Sequence, residues 1–263
     1  MNSRQNKEEN LQTIEGFLDV AAERGAQVVA TPEMCTFYGP GSQFASQAEP
    51  LPGPTTERLG RKASLHQMYV LCGSFPEQSD QAGKVCNTSV LIDPAGDIIA
   101  TYRKIHLMDA DIRNGPLMQE SKFYQPGSQV VTVETPLATF GLSICYDLRF
   151  PELYRQLAAQ GAQILFIPAA FTLYTGKDHW EPLIRARAIE NQAYVIAPGQ
   201  FGFHPPDKHT YGKSLIVDPW GIVMAKASDR AMVIVAEIDL AYQENIRREL
   251  PSLANRRKDL FGG

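Results

Sequence analysis

The sequence lacks the features that mark membrane, secreted or nucleic-acid-binding proteins. No apolar run approaches the roughly 20 residues that a membrane helix requires, and the polar start MNSRQNKEEN has no signal-peptide core. The net charge is −4 and the basic residues are scattered, which argues against a nucleic-acid surface. The four cysteines form no C-x-x-C pair and no zinc-type spacing, so we expect free thiols in a reducing cytoplasm.

Several catalytic signatures are also missing, including H-E-x-x-H, G-x-S-x-G and G-x-G-x-x-G. YGKS (211–214) ends like a phosphate loop, but Asp207 stands where the first glycine of that loop belongs. A phosphatase-type cysteine at position 145 would need an arginine six residues later, where the chain has Pro151. Papain-type chemistry needs a histidine partner, and the five histidines leave that possibility open.

The composition is that of an ordinary globular protein. The chain has 263 residues, of which 44% are apolar and 21% are charged. A chain of this length can bury roughly 75% of its unfolded surface, so it needs neither disulfides nor a metal to fold. We expect a single domain over residues 1–263.

An internal duplication organises the sequence. SVLIDPAGDIIA (89–100) matches SLIVDPWGIVMA (214–225), and GAQVVATPE (25–33) parallels GAQILFIPA (161–169). Each copy predicts a helix, a buried strand ending at proline, a second helix and strand, and a hairpin closed by a DPxG turn.

The predicted elements favour an α/β fold of four layers. Asn6 is a predicted N-cap with Glu9 three residues on, Gly25 a predicted helix stop and Pro151 a predicted helix start. The strands are apolar on both faces, as expected of strands covered by helices. Two such halves can bury their open sheet faces together, which predicts an αββα sandwich with pseudo-twofold duplication. A single Rossmann-like sheet is the alternative, and the hairpins argue against it.

The two copies differ at their starts. The second copy has the apolar strand TFGLSIC (139–145) before its first helix, whereas the first copy has only the polar MNSRQN there. We therefore expect the first strand of the repeat to be missing.

Cys145 is the cysteine with the most reactive predicted setting. It ends a strand, and the following YDLR places Asp147 and Arg149 beside it. A helix beginning near Pro151 would add a dipole field that favours a thiolate. A buried structural thiol is an equally weighted interpretation of this residue on composition alone.

Three further charged residues are candidates for chemistry. Glu33 ends a buried strand, and because its repeat counterpart is Ala169, the duplicated backbone does not require a carboxylate there. Lys104 follows the strand that leaves the first DPxG turn, where a solvated lysine is the usual interpretation. Glu120 is a weaker candidate, since an exposed loop acid is the simpler interpretation.

These residues and their surroundings resemble the nitrilase superfamily of carbon–nitrogen hydrolases. TPEM around Glu33, YRKIHL around Lys104 and ICYDLRFPELYR around Cys145 are similar to its three signature segments, in order and at similar spacing. The resemblance covers nearly the whole chain and implies an αββα sandwich that usually dimerises. RKIHLMDADI, QESK and CYDLRFPEL are similar to the branch of omega-amidases and deaminated-glutathione amidases, and RARAIENQAYV and GPLMQES favour the latter.

The resemblance implies a role for each candidate. Cys145 would attack an amide carbonyl, giving a thioester and releasing ammonia. Glu33 would move the protons, and Lys104 with the backbone N–H of Tyr146 would hold the oxyanion. Glu120 would orient the lysine and the substrate, and neither a metal nor an organic cofactor is implied.

The resemblance also implies a substrate that carries a carboxylate. Arg149 is the predicted anchor, with an ion pair to Asp147 or Glu152 as an equally weighted alternative. Three further residues are expected to line the substrate pocket: Phe171, Thr175 and Trp180.

The implied function is a thiol-dependent amidase acting on deaminated glutathione. The alternatives are an omega-amidase acting on alpha-ketoglutaramate or alpha-ketosuccinamate, a non-catalytic dimeric binding protein of this fold, and an N-acyltransferase. We expect a cytoplasmic homodimer whose partner is a small amide, without nucleic acid or membrane. Lys213 stands where relatives often carry histidine, and the sequence assigns it no role.

Overall fold

A computed structural model describes residues 1–113, 115 and 117–261 of the chain. The helices are α1 (Lys7–Glu23), α2 (Phe44–Gln47), α3 (Pro54–His66), α4 (Pro151–Ala159), α5 (Leu173–Asn191), α6 (Leu240–Glu249) and α7 (Lys258–Phe261). The strands are β1 (Val28–Ala30), β2 (Tyr69–Gln78), β3 (Val85–Ile92), β4 (Ile98–Arg103), β5 (Asp109–Asp111), β6 (Leu117–Gln119), β7 (Thr132–Glu134), β8 (Thr139–Leu142), β9 (Ile164–Phe166), β10 (Tyr194–Ala197), β11 (Phe201–His204), β12 (Lys208–Tyr211), β13 (Leu215–Val217) and β14 (Val223–Lys226). Within the described ranges, none of the helices combines the length and apolar character needed to cross a membrane.

The predicted helix boundaries are confirmed. The N–H of Glu9 donates to Asn6 Oδ1 over 3.3 Å, and Asn6 Nδ2 donates back to Glu9 Oε1 over 2.7 Å, which caps α1. Gly25 follows the end of α1 with φ of 75°, a conformation that glycine adopts without a steric penalty. Pro151 is the first residue of α4, where its missing N–H costs no hydrogen bond.

The strands form two main sheets with the same internal order. The first sheet runs β1-β2-β3-β4 and the second runs β14-β13-β10-β9-β8-β7. In both, a parallel pair (β1/β2 and β9/β10) is followed by two antiparallel pairs. Gly96 and Gly221 close the two DPxG turns with φ of 97° and 88°. The predicted duplication is therefore confirmed.

The core residues show four layers. Leu71 of β2 belongs to the same buried cluster as Phe140 of β8, so one face of each sheet meets the other sheet. The alternate residue Val70 packs in a second cluster with Leu18 of α1 and Leu59 of α3. Helices α4 and α5 cover the second sheet through the first cluster. The αββα prediction is confirmed, and the single-sheet alternative is wrong.

The two sheets end differently. Strand β9 lies between β8 and β10, whereas its counterpart β1 pairs with β2 alone among the described strands, and residues 1–6 form no strand. Tyr69 N–H donates to Gln27 O and Thr31 N–H donates to Leu71 O, so residues 27, 29 and 31 face β2. The N–H groups of residues 28 and 30 therefore point the other way, into a cavity of about 640 Å³ bordered by residues 232–238. We call this side of β1 the open edge.

Candidate active site

Four predicted residues meet at one place although they are far apart in the chain. Glu33 follows β1, Lys104 follows β4, Glu120 follows β6 and Cys145 follows β8. All four are buried, with exposed fractions of 1% for Glu33 and Lys104, 8% for Glu120 and 6% for Cys145. The ends of strands from the two facing sheets, together with the end of β6 in a separate two-stranded sheet with β5, therefore bring two carboxylates, a cation and a thiol together.

The Lys104 ammonium lies between the two carboxylates. Its Nζ is 3.0 Å from Glu33 Oε1 and 2.9 Å from both carboxylate oxygens of Glu120. Burial alone would lower the pKa of Lys104, but attraction to Glu120 and then to Glu33 outweighs burial and raises the pKa well above its ordinary value. Burial also raises the pKa of Glu120, although Lys104 opposes the rise. The lysine therefore stays a cation throughout the neutral range.

The Glu33 carboxylate is held by two groups that sequence reasoning missed. Asn87 Nδ2 donates to Glu33 Oε1 over 2.9 Å, and the N–H of Ala170 donates to Glu33 Oε2 over 2.8 Å. A polar amide in the fully buried strand β3 was the available signal for Asn87. The donor of Ala170 belongs to the backbone, so the sequence carries no signal for it.

The backbone is strained on both sides of the site. Cys145 has φ of 48° and Met34, which follows Glu33, has φ of 53°. Residues other than glycine seldom adopt this left-handed conformation, and it persists where surrounding contacts impose it. Here the N–H of Cys145 donates to Pro168 O over 2.9 Å, and the N–H of Met34 donates to Ser74 Oγ over 2.8 Å.

The Cys145 thiol is protonated at rest. Burial, and after it repulsion by Glu33, raises the pKa of Cys145 well above its ordinary value, and the attraction of Lys104 does not compensate. The expected thiolate beside a helix N-terminus is therefore wrong. The dipole of α4 acts weakly here because α4 begins only at Pro151, and a helix field falls off beyond the first turn.

Asp147 is a structural anchor. Its carboxylate accepts hydrogen bonds from the Tyr102 hydroxyl over 2.6 Å, from the His106 N–H over 3.0 Å and from the Ile144 N–H over 2.8 Å. These bonds tie the segment after β4 to the turn after β8. Because these donors occupy both of its oxygens, Asp147 does not form an ion pair with Arg149. The alternative in which Asp147 neutralises Arg149 is therefore wrong.

The reactive groups line a cavity of about 170 Å³. Glu33, Glu120 and Cys145 contribute to its wall, while Lys104 lies behind the carboxylates. Strand β6, which belongs to the GPLMQES segment, forms part of the cavity wall. Pro116 of the same segment lies outside the described residues. The remaining lining is largely aromatic and apolar, and includes Tyr38, Phe44, Phe123, Tyr124 and Phe171.

Arg149 lines this cavity in an aromatic setting. The centre of its guanidinium lies 5.0 Å from the ring centroid of Phe171 and 5.8 Å from that of Tyr146. Its Nη1 is 3.3 Å from His179 Nδ1. No carboxylate of the described residues lies within ion-pair distance, so neither Asp147 nor Glu152 neutralises it.

The other predicted pocket residues divide into two groups. Phe171 and Thr175 line the cavity, whereas Trp180 does not. Helix α5 turns the Trp180 ring inward, where it is fully buried, lies 5.2 Å from the Phe171 ring and donates Nε1–H to the Lys213 carbonyl over 2.8 Å. The expectation that Trp180 lines the pocket is corrected in this way. The Lys213 ammonium forms an ion pair with Asp229 at 2.7 Å.

No described residue accepts a hydrogen bond from the N–H of Tyr146, the residue after the candidate nucleophile. This donor, a protonated lysine and a carboxylate base beside a thiol are the parts that acyl transfer through a cysteine requires. The αββα fold and this arrangement together are typical of hydrolases that use a cysteine nucleophile.

Residues 1–248 match the family model described as carbon–nitrogen hydrolase. The chain is 44% identical over 259 residues to a deaminated glutathione amidase of Synechocystis sp., covering 97% of this chain and 95% of that protein. It is 40% identical over 255 residues to an omega-amidase of Xenopus tropicalis, covering 97% and 92% of the two chains.

Solved structures agree with the sequence relatives. The crystal structure of the Caenorhabditis elegans NitFhit protein superposes with a TM-score of 0.91 at 38% identity, over 99% of this chain and 64% of that longer one. A mutant amidase from Nesterenkonia sp. AN1, at 25% identity and a TM-score of 0.82 over 99% and 92% of the chains, carries the acetamide moiety of fluoroacetamide on its active-site cysteine.

The chain therefore belongs to the carbon–nitrogen hydrolase family, the nitrilase superfamily. It is a hydrolase that acts on carbon–nitrogen bonds other than peptide bonds.

Proposed function

We propose that the chain is an amidase that cleaves small, carboxylate-bearing linear amides through a thioester on Cys145. The observation that carries this proposal is the buried Lys104 ammonium held by Glu33 and Glu120 beside the thiol. The relatives named as amidases, and the covalent adduct on the cysteine of the Nesterenkonia amidase, support it.

In the first half-reaction the thiol gives its proton to Glu33 as the sulfur attacks the amide carbonyl carbon. Because the thiol pKa is raised, this transfer accompanies the attack rather than preceding it. The resulting oxyanion is held by the Lys104 ammonium and the N–H of Tyr146. One such donor typically lowers the barrier by about 3 kcal/mol. Glu33 then protonates the leaving nitrogen, the C–N bond breaks, and an amine and a thioester remain.

In the second half-reaction a water molecule gives a proton to Glu33 and attacks the thioester carbonyl. The same two donors hold the second oxyanion. The C–S bond then breaks, the sulfur takes the proton back from Glu33, and the acid is released. Glu120 keeps Lys104 in place, because both of its oxygens lie 2.9 Å from the ammonium.

We propose deaminated glutathione, the 2-oxo acid analogue of glutathione, as the substrate, with alpha-ketoglutaramate as the alternative. Arg149 has no carboxylate partner in the described part of the chain, and its planar guanidinium suits the carboxylate that both substrates carry on the acyl side. The two substrates differ in their leaving group. Alpha-ketoglutaramate releases ammonia, whereas deaminated glutathione releases cysteinylglycine, so ammonia is expected from the omega-amide alone.

The test measures hydrolysis of both amides by the wild type, by Cys145→Ala and by the control variant Cys86→Ala. Cys86 lies outside the site, beside a different cavity. Loss of the nucleophile should lower kcat by more than about 10⁴-fold, because nucleophile, base and oxyanion donors act as a unit. The control should keep most of the activity. A wild type that hydrolyses neither amide would favour a non-catalytic binding protein. An active Cys145→Ala would instead exclude a thioester on Cys145.

We further propose that the chain forms a homodimer and acts in the cytoplasm. Ile189 of α5 and the hairpin residues Trp220 and Ile222 expose 49%, 55% and 54% of their surface, and together they form an apolar patch that a second copy can cover. The four free cysteines suit a reducing compartment. Sedimentation at micromolar concentration should give a dimer in the wild type, and Trp220→Glu should shift it to monomer.

A further inference from the structure

The active-site cavity has a second cation that the reaction does not use. Lys208 begins β12 and lines the cavity together with Glu33 and Cys145. Its ammonium lies 5.9 Å from the ring centroid of Tyr38. No ion pair joins it to a carboxylate of the residues that the structure describes. A partly buried cation in a substrate cavity without a protein counterion is a candidate binding group for a substrate anion.

The chain holds Lys208 in this position through its neighbours. The Tyr38 ring packs against His204 with ring centroids 4.1 Å apart and the ring planes tilted by 39°. His204 pairs with Lys208 across the hairpin of β11 and β12. His204 is itself buried and fixed, since its Nδ1 lies 2.8 Å from Ser3 O and its Nε2 lies 2.7 Å from Thr210 Oγ1. The Tyr38 ring beside Lys208 is therefore held in place by a histidine that is itself fixed by two hydrogen bonds.

Lys208 and Arg149 lie beside different walls of the cavity. Arg149 packs on Tyr146 and Phe171, next to the nucleophile turn. Lys208 packs on Tyr38, a residue in the segment that follows Glu33. Gln200, which directly precedes β11, donates from Nε2 to the Glu33 carbonyl over 3.0 Å. The hairpin that carries Lys208 and the segment that carries Tyr38 are therefore both anchored on the Glu33 side of the cavity.

The leaving nitrogen must also lie toward Glu33, because Glu33 protonates it as the C–N bond breaks. We propose that Lys208 binds a carboxylate on the leaving group, so that the site takes amides with one carboxylate on the acyl part and a second on the departing amine. The inference rests on the proposed amidase function and extends it. Ammonia, as a leaving group, makes no contact with Lys208, whereas the glycine carboxylate of cysteinylglycine reaches toward it.

The experiment compares Lys208→Met with the wild type on three amides. These are deaminated glutathione, the same molecule with its glycine carboxylate converted to a carboxamide, and alpha-ketoglutaramate. A lost charge-assisted hydrogen bond should lower kcat/KM for deaminated glutathione roughly 10- to 100-fold, mainly through KM. The other two substrates should change by less than about twofold, because neither presents an anion on the leaving group. Lys208→Arg should recover most of the loss.

Two results would overturn the inference: an equal loss on all three amides, which would indicate a structural role through Tyr38, and an unchanged rate on deaminated glutathione. Binding of deaminated glutathione to Cys145→Ala, with and without Lys208→Met, separates this inference from the proposed function. If the wild type hydrolyses no amide yet binding weakens about tenfold or more on loss of Lys208, the amidase proposal fails while the role of Lys208 stands. If Cys145→Ala binds deaminated glutathione equally well with and without Lys208→Met, Lys208 does not bind this substrate, whether or not the wild type hydrolyses it.

Discussion

At the scale of single residues, the proposed acid–base role of Glu33 depends on how its carboxylate is held. Its two oxygens accept hydrogen bonds from Asn87 and from the N–H of Ala170, and one of them also contacts Lys104. Every one of these partners is a donor, so the orientation of the carboxylate is fixed by three hydrogen bonds. We therefore expect Asn87 to act as a positioning residue for the proposed general base.

Replacing Asn87 by aspartate tests this positioning role. Asn87→Asp replaces the donor 2.9 Å from Glu33 Oε1 by a second carboxylate, which repels Glu33 and displaces it from the thiol. Asn87→Ala, the control, removes the donor without adding a charge and should lower kcat roughly tenfold. Asn87→Asp should lower kcat more than the control does. Equal kcat values for all three proteins would show that Asn87 does not position Glu33.

The raised pKa of Cys145 makes a second prediction. Thiolate absorbance, measured as the difference between wild type and Cys145→Ala, should stay absent at neutral pH and develop only above the ordinary value of 9.0. The folded state holds this proton more tightly than the unfolded state does. The stability of the wild type relative to Cys145→Ala should therefore fall as the pH rises above 9.0. Thiolate absorbance at neutral pH would contradict the proposed proton transfer to Glu33 during attack.

At the scale of elements, the close approach of β1 and β2 sets the position of Glu33. A Cβ on Gly73 would lie 1.9 Å from Thr31 O and 2.4 Å from Pro32 O, so only glycine fits there. Gly73→Ala should lower the free energy of unfolding by roughly 1–3 kcal/mol, and it should also reduce activity, because Glu33 follows Pro32 directly.

A matched glycine in α1 serves as the control. Gly16 is exposed, and a Cβ there would meet nothing within 4 Å. Gly16→Ala should raise the free energy of unfolding by about 0.5–1 kcal/mol, since alanine favours the helix. Denaturant titration measures both effects. A Gly73→Ala protein as stable as the wild type would show that the two strands can separate without cost.

The elements that sequence reasoning placed correctly are those with local signals. Three residues mark helix ends through chemical properties of their own. Asn6 caps the start of α1, Gly25 adopts a positive φ after its end, and Pro151 begins α4 without an N–H donor. The sequence could not place contacts made by the backbone, such as the N–H of Ala170, or those set by tertiary packing. Trp180 was expected in the pocket because it follows the strand that ends at Pro168, but it lies on the face of α5 that is buried in the core. Lys208 lies in a polar hairpin and gives no signal without the fold.

At the scale of the whole molecule, the two halves repeat one topology, but the strands β1 and β9 differ in how many neighbouring strands they have. Strand β9 has hydrogen-bonded neighbours on both sides, whereas β1 has β2 on one side and the open edge on the other. The outward N–H groups of Val28 and Ala30 have no strand partner among the residues that the structure describes. A strand bonded on one side opens at lower free energy than one bonded on two.

Hydrogen exchange should report this difference directly. The amides of Val28 and Ala30 should exchange faster than those of Ile164 and Phe166, their counterparts in β9, under conditions where the protein stays folded. Peptide-resolved exchange followed by mass spectrometry gives the comparison within one sample, so the second half is the internal control. Equal protection of the two strands would show that the cavity at the open edge does not weaken β1.

The open edge has a consequence for how activity is lost on heating. Glu33 stands three residues beyond the last residue of β1, so detachment of this strand would move the proposed general base away from the thiol while the second half stays folded. We therefore expect inactivation to begin at a lower temperature than the main unfolding transition and to reverse on cooling. The heat tolerance of the activity would then depend on one short strand rather than on the stability of the whole core.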